Sequence, residues 1–233
     1  MKLELCVASI EAIHLAKEFN FDRIELCQSL EQGGITPSYG MIEYAIAYGI
    51  ETHVLIRPRP GGFHYDKVEL EIMLREVKNC REMGAKGIVI GVLNDRNNID
   101  SDFLEEIIGK ANGMEVTFHR AFDDVMDWKK ALDVLIDLKV KRVLSSGMAR
   151  NVDHGFSILK EMIAYVDNKI EIMPGGGVNA ANVSKIAKEL KVESIHFSGT
   201  SKVNLDEDSF FSESILKVDR EKINRILKSI KKN

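Results

Sequence analysis

The chain has no excess of charge of one sign, no apolar run long enough to span a membrane, almost no cysteine and no low-complexity stretch. With 32 Lys and Arg against 36 Asp and Glu in 233 residues, it carries no overall basic field for nucleic acid or an anionic membrane, and neither is expected as a partner. The opening Met1-Lys2-Leu3-Glu4-Leu5-Cys6 places a carboxylate where a secretory leader needs its apolar centre, so the expected setting is cytoplasmic. Cys6, Cys27 and Cys80 form no CxxC pair; an odd number at wide spacing suits reduced thiols better than a disulfide framework. With no linker or internal repeat, residues 1–233 are expected to form one domain.

What the chain does have is alternation. Short β-like runs fall at 2–7, 23–27, 52–57, 87–92, 115–119, 142–146, 170–173 and 194–198. Helical patterns fill the intervals at 10–19, 41–48, 66–83, 101–110, 128–138, 155–165, 180–190 and 220–230. Strands that alternate with helices pair in parallel, and eight units without interruption predict a closed TIM (β/α)₈ barrel. Thr36-Pro37 reads as a cap with proline in the following first turn, and Asp100 or Ser101 as the cap of the helix at Phe103. In the last helix Ile223, Ile226, Leu227 and Ile230 make one apolar stripe for the outer ring.

In such a barrel the outer strand face lies beneath helices and must be apolar, so charged residues at alternating positions point inward. Parity sends Glu4, Cys6, Glu25, Cys27, His53, Arg57, Thr117, His119, Glu171, His196 and Ser198 into the lumen. Ionisable groups there are costly unless they pair or reach water. A self-satisfied network, for instance Glu25 with Arg57, would account for any one of them; the whole cluster points to a site.

The segment Glu115-Val116-Thr117-Phe118-His119-Arg120-Ala121-Phe122-Asp123-Asp124 delivers a histidine, an arginine and carboxylates from one strand end. Glu25 or His119 is the expected general acid or base, Arg57 and Arg120 the anion clamps, and Asp123 the group that orients an arginine or imidazole. After the seventh and eighth strands come Gly175-Gly176-Gly177 and Ser198-Gly199. Loops in these places commonly seat a phosphate, because small residues let backbone N–H groups approach an anion, although such glycines also make plain tight turns. Cys6 and Cys27 end adjacent strands about 4.8 Å apart and face inward. Two such thiolates suit a soft ion such as Cu(I); two buried core thiols would read the same way.

Several segments carry a family resemblance. Glu4-Leu5-Cys6, Asp22 to Cys27, Gly33 to Ser38, Arg57-Pro58-Arg59 with Gly61, Phe63 and Tyr65, Thr117 to Asp123, Ser146-Gly147 and Gly175 to Val178 resemble the pattern of the CutC family in order and spacing. The resemblance implies a cytosolic TIM barrel named for copper handling, often oligomeric and here taken as a homodimer or larger. It also implies Cu(I) at Cys6 and Cys27, and a pocket of undefined substrate. Asn97-Asn98 departs from the Asp-Gly usual there, and Asn can adopt the left-handed turn that Gly supplies. Two functions follow as expectations: copper binding in homeostasis, or acid–base chemistry on a small phosphorylated or carboxylated metabolite.

Overall fold

A computed structural model describes residues 1–204 and 214–231. Eight parallel strands form the barrel wall: β1 Lys2–Val7, β2 Arg23–Leu26, β3 Thr52–Leu55, β4 Gly87–Ile90, β5 Glu115–Phe118, β6 Arg142–Ser145, β7 Glu171–Pro174 and β8 Ser194–Phe197. They are hydrogen-bonded in the order β7-β6-β5-β4-β3-β2-β1-β8. The helices that alternate with them are α1 Ile10–Glu18, α2 Tyr39–Ala47, α3 Lys67–Met83, α4 Ser101–Ala111, α5 Trp128–Asp137, α6 Phe156–Val166, α7 Val183–Leu190 and α8 Arg220–Lys231. The expected TIM barrel is therefore the observed architecture.

The layer between strands and helices is apolar throughout. Leu5, Val7, Ile24, Leu26, Val54, Ile88, Ile90, Val116, Phe118, Val143 and Ile195 are fully or nearly fully buried there. α8 contributes Ile223, Ile226 and Leu227, the stripe read from the sequence. No helix among the described residues is long and apolar enough to cross a membrane.

Local differences from the sequence reading have plain causes. Ser38 rather than Thr36 caps α2, taking the Met41 amide, while the Thr36 hydroxyl donates to Glu76 at 2.7 Å and accepts the Arg57 amide at 2.9 Å. Asp100 caps α4 as read. Asn97 stands at φ 52°, the left-handed turn expected of that segment. α7 begins at Val183 instead of 180, after a loop held by Asn179 and Asn182. An antiparallel hairpin, β9 Thr200–Asn204 with β10 Ser214–Val218, follows β8; neither strand alternates between buried and exposed residues, so no period-two pattern marks it.

The register puts Glu4 beside Arg23 and His196, Cys6 beside Glu25, and Arg142 beside Thr117 and Glu171. Inside the barrel these charges form a continuous belt. Arg23 donates to Glu4, to Ser194 Oγ at 3.1 Å and to Met173 Sδ at 3.2 Å. Ser194 donates to Glu171, which accepts from Arg142 Nε at 3.0 Å. Arg142 also reaches Glu115, Thr117 Oγ1 at 3.1 Å and His53 Nδ1 at 3.4 Å. The strand ladder does not run from β7 to β8 among the described residues, so the Ser194–Glu171 bond ties that seam.

Removing one partner of such a buried pair leaves an uncompensated charge. Arg142→Ala is expected to destabilise the fold by about 3–5 kcal/mol, read as a lower midpoint in urea with an unchanged slope. A loss under about 1 kcal/mol, typical of exposed pairs, would remove the belt from the set of stabilising features.

Candidate functional site

Above the belt the lumen opens into a cavity of about 640 Å³ at the C-terminal ends of the strands, where this fold places its active sites. Its floor is Cys6, Glu25 and His196, its walls include Leu55, Leu144 and Phe63, and Arg57, His119, Arg120, Gly176, Gly177, Ser198, Gly199 and Lys222 stand around them. Of the residues expected from sequence, the cavity brings together Glu25, Arg57, His119, Arg120 and both glycine loops. Cys27 lies just behind Cys6, with the sulfurs 3.7 Å apart.

Glu4, His196 and Glu25 form one electrostatic unit. His196 Nδ1–H donates to Glu4 Oε1 at 2.7 Å and lies 3.8 Å from Glu25 Oε2. Burial alone would raise the Glu4 carboxyl, but the His196 hydrogen bond and the charges of His196 and Arg23 outweigh it and hold Glu4 well below the usual carboxylate range. Burial works against a charged His196, yet the two glutamates raise its pKa. Glu25 has no cation of its own, and burial pushes it up to about 7, the range in which a carboxyl exchanges protons at neutral pH. Glu4 and His196 were read as inward from sequence but not as part of the reacting set; their spacing of 192 residues leaves no local trace.

His119 follows β5 and caps the 3₁₀ turn Arg120–Asp124, its Nδ1 accepting the Ala121 amide at 3.0 Å. Its ring lies on Gly91, where a Cβ would stand 2.3 Å from Cε1; only glycine permits that approach. Burial and then the nearby Arg57 charge bring the His119 pKa down to about 3, so the ring is neutral at physiological pH and carries its proton on Nε2.

The two arginines differ. Arg57 is almost wholly engaged by loop backbone, donating to Gly34 O at 2.8 Å and Gly61 O at 2.6 Å, with its guanidinium 5.2 Å from the Phe63 ring centre. It brings its charge to the site while its donors brace the β2 and β3 loops, and it makes no pair with Glu25. Arg120 is oriented by Asp123, 2.9 Å from Nε, and by Ser146 Oγ at 2.8 Å. Asp123 in turn accepts from the Ser146 and Met148 amides at 3.1 Å. Arg120 packs flat on Gly176, at φ 90°, where a Cβ would lie 3.0 Å from Cζ. Because α7 starts beyond the glycines, the backbone lining the cavity here is the Gly176–Gly177 loop and not a first helical turn. Lys222, in the first turn of α8, was not foreseen. It reaches the rim with Nζ 2.6 Å from Thr200 O.

Cys6 is poised differently from a free cysteine. The Cys27 contact, burial and the nearby carboxylates together push Cys6 well above its ordinary value, so its sulfur sits beside negative charge that disfavours a thiolate and favours a cation. Cys6, Glu25 and His196 offer ligand atoms within 4.8 Å of one another.

The chain is thus a parallel (β/α)₈ barrel with acid–base groups on the floor of its cavity and cations at the mouth. The CutC family model matches residues 1–201. A family protein CutC from Pasteurella multocida is 40% identical over 200 residues, covering 85% of this chain and 82% of that protein. A CutC from Glaesserella parasuis is 38% identical over 99% of both chains. The solved structure titled a putative copper homeostasis protein CutC, from Streptococcus agalactiae, superposes with TM-score 0.80 at 35% identity, over 84% of this chain and 97% of that one. The chain belongs to the CutC family. A phosphoribosylanthranilate isomerase from Pyrococcus furiosus, TM-score 0.59 at 14% identity over the full length of both chains, shares the fold alone.

Glu25 sets a pH dependence with a definite sign. Its raised pKa means that the fold is penalised as the carboxyl ionises, between about pH 4.5 and 7, and that the penalty stays constant above. Glu25→Gln cannot ionise, so its unfolding free energy should match the native protein near pH 4 and exceed it near pH 8 by about 3 kcal/mol. A stability difference that does not change across that window would contradict the assignment.

Proposed function

We propose that this protein binds a small anionic metabolite at the mouth of the barrel and acts on it by acid–base chemistry. The observation that carries this reading is the cavity itself. A space of about 640 Å³ is the size of a metabolite site, with proton-exchanging groups below and cations above, and a lone metal ion has no use for it. Glu25 is the proton-transfer group, and the Glu4–His196 pair sets its field. Arg120, aimed by Asp123, holds the anion with Lys222, the Gly176–Gly177 amides and the Ser198–Gly199 turn. Arg57 supplies charge and holds the loops.

A second reading concerns the floor. Metal–sulfur bonds of about 2.3 Å let two sulfurs share an ion when they lie up to about 4.6 Å apart, and the Cys6–Cys27 separation of 3.7 Å meets that condition. Two sulfurs with few other soft donors suit Cu(I), and the streptococcal relative is titled for copper homeostasis. In this reading copper is cargo held at Cys6 and Cys27, with Glu25 and His196 close enough to complete its surroundings.

Two measurements separate the readings. A thermal-shift panel of inorganic phosphate, sugar phosphates and small carboxylates should contain a stabilising anion. Arg120→Ala should weaken its binding by about 1.5–3 kcal/mol, tenfold or more; no stabilising anion in the panel would defeat the metabolite reading. Titration of reduced protein with Cu(I) against a competing chelator should give one ion per chain, abolished in Cys6→Ser/Cys27→Ser, and unchanged affinity in that double variant would defeat the copper reading.

A further inference from the structure

Three residues that line the cavity have a buried polar atom without a hydrogen-bond partner among the described residues: His119 Nε2, Glu25 Oε2 and Arg57 Nε. His119 Nε2 and Glu25 Oε2 come from opposite sides of the barrel, just after β5 and within β2, and both residues line the same cavity. Their hydrogen-bonding characters are complementary. Because His119 Nδ1 accepts the Ala121 amide, Nε2 must carry the ring proton and can only donate, and the ring stays uncharged since burial and Arg57 bring its pKa to about 3. Glu25 presents an oxygen that can only accept when ionised. A buried polar atom without a partner is costly, so both are arranged for something that enters the cavity.

The pair restricts what that is. An anionic group is met better by cations, which Arg57 Nε supplies inside the cavity and Arg120 and Lys222 supply at its rim. A neutral donor opposite a carboxylate fits an uncharged oxygen that gains negative charge only as a proton leaves the adjoining atom. That is a carbonyl undergoing enolisation, where a neutral imidazole stabilises the forming oxyanion and a carboxylate takes the proton.

We infer that the substrate is an α-hydroxycarbonyl compound carrying an anionic group, with Glu25 taking the proton beside the carbonyl and His119 Nε2–H holding its oxygen. This rests on the metabolite reading above and adds the substrate class. In the step the α C–H bond breaks and its proton passes to Glu25. The C–H electron pair becomes the C=C bond, while the carbonyl π pair moves onto the oxygen held by His119. Return of the proton from Glu25 to the neighbouring carbon, with transfer of the hydroxyl proton to the first oxygen, yields the isomeric carbonyl compound. No oxidant, reductant or second substrate is consumed.

The test is solvent-deuterium incorporation at the α-carbon, followed by NMR, with dihydroxyacetone phosphate and ribose 5-phosphate as probes. Inorganic phosphate and sn-glycerol 3-phosphate serve as anions without a carbonyl. The native protein should exchange the α-hydrogen of at least one carbonyl probe. His119→Asn keeps an acceptor for the Ala121 amide but loses the Nε2 donor, and should slow exchange about 100-fold with little change in Tm. Exchange within twofold of native in His119→Asn overturns the inference, and so does the absence of exchange with either carbonyl probe. If the carbonyl-free anions still bind in that case, the metabolite pocket survives without this chemistry; if nothing binds, both fall. Should His119→Asn fail to fold, the ¹⁵N shifts of native His119 decide: a proton on Nδ1, or an imidazolium, between about pH 6 and 8 overturns the inference.

Discussion

The arginine–carboxylate belt across the lower lumen is the constraint on which the rest of this structure depends. Strand alternation forces Glu4, Arg23, Arg142 and Glu171 inward, into a space where each alone would be intolerable. Arg23 and Arg142 solve this by spanning several strands each, so the belt crosses from β8 through β1 and β2, and from β7 through β6 to β5. In tying these strands it also fixes Glu4, and Glu4 fixes the orientation of His196. The structural floor thus sets the electrostatics of the layer above it.

That upper layer is graded. At the bottom one carboxylate, Glu4, is fully compensated and permanently ionised, while its neighbour Glu25 shares the same histidine at a longer distance and is left near its ionisation point. Higher up, His119 is kept neutral by burial and by a cation that is itself bound to loop carbonyls. At the rim Arg120 is half-exposed and held in aim by Asp123. Two carboxyls and two histidines in one barrel therefore take four different protonation behaviours, each set by what lies within a few ångströms.

Much of this was legible from the chain alone, for a physical reason. Period-two alternation beneath an apolar shell leaves a charged strand residue only one direction, so the inward set was readable, and the strand–helix repeat fixed the barrel. What could not be read were partners. Arg57 was expected to clamp an anion or to pair Glu25, but its donors go to Gly34 and Gly61 carbonyls, which no side-chain pattern announces. Arg23 and Arg142 share the inward parity of Glu25 and Leu144, but which carboxylate each meets depends on the register between strands. His119 reads as a proton shuttle by residue type, yet a backbone amide two residues away decides its tautomer. The hairpin β9–β10 follows neither strand nor helix repeat of the barrel, and Lys222 stands among several polar residues of α8, none of which its period marks for the cavity.

The pairing of β1 with β8 has a consequence for how the chain becomes a protein. The Lys2 amide bonds the Glu193 carbonyl, and Glu4 meets His196 across 192 residues, so β1 keeps one edge unpaired until β8 has been made. Contacts of such separation form late, after the largest loop has closed. A chain halted before β8 has most of its wall and none of its Glu4–His196 pair, together with an open strand edge of the kind that invites aggregation. The Glu4–His196 pair and a wall without an open edge at β1 are thus acquired in one event, the closing of the ring.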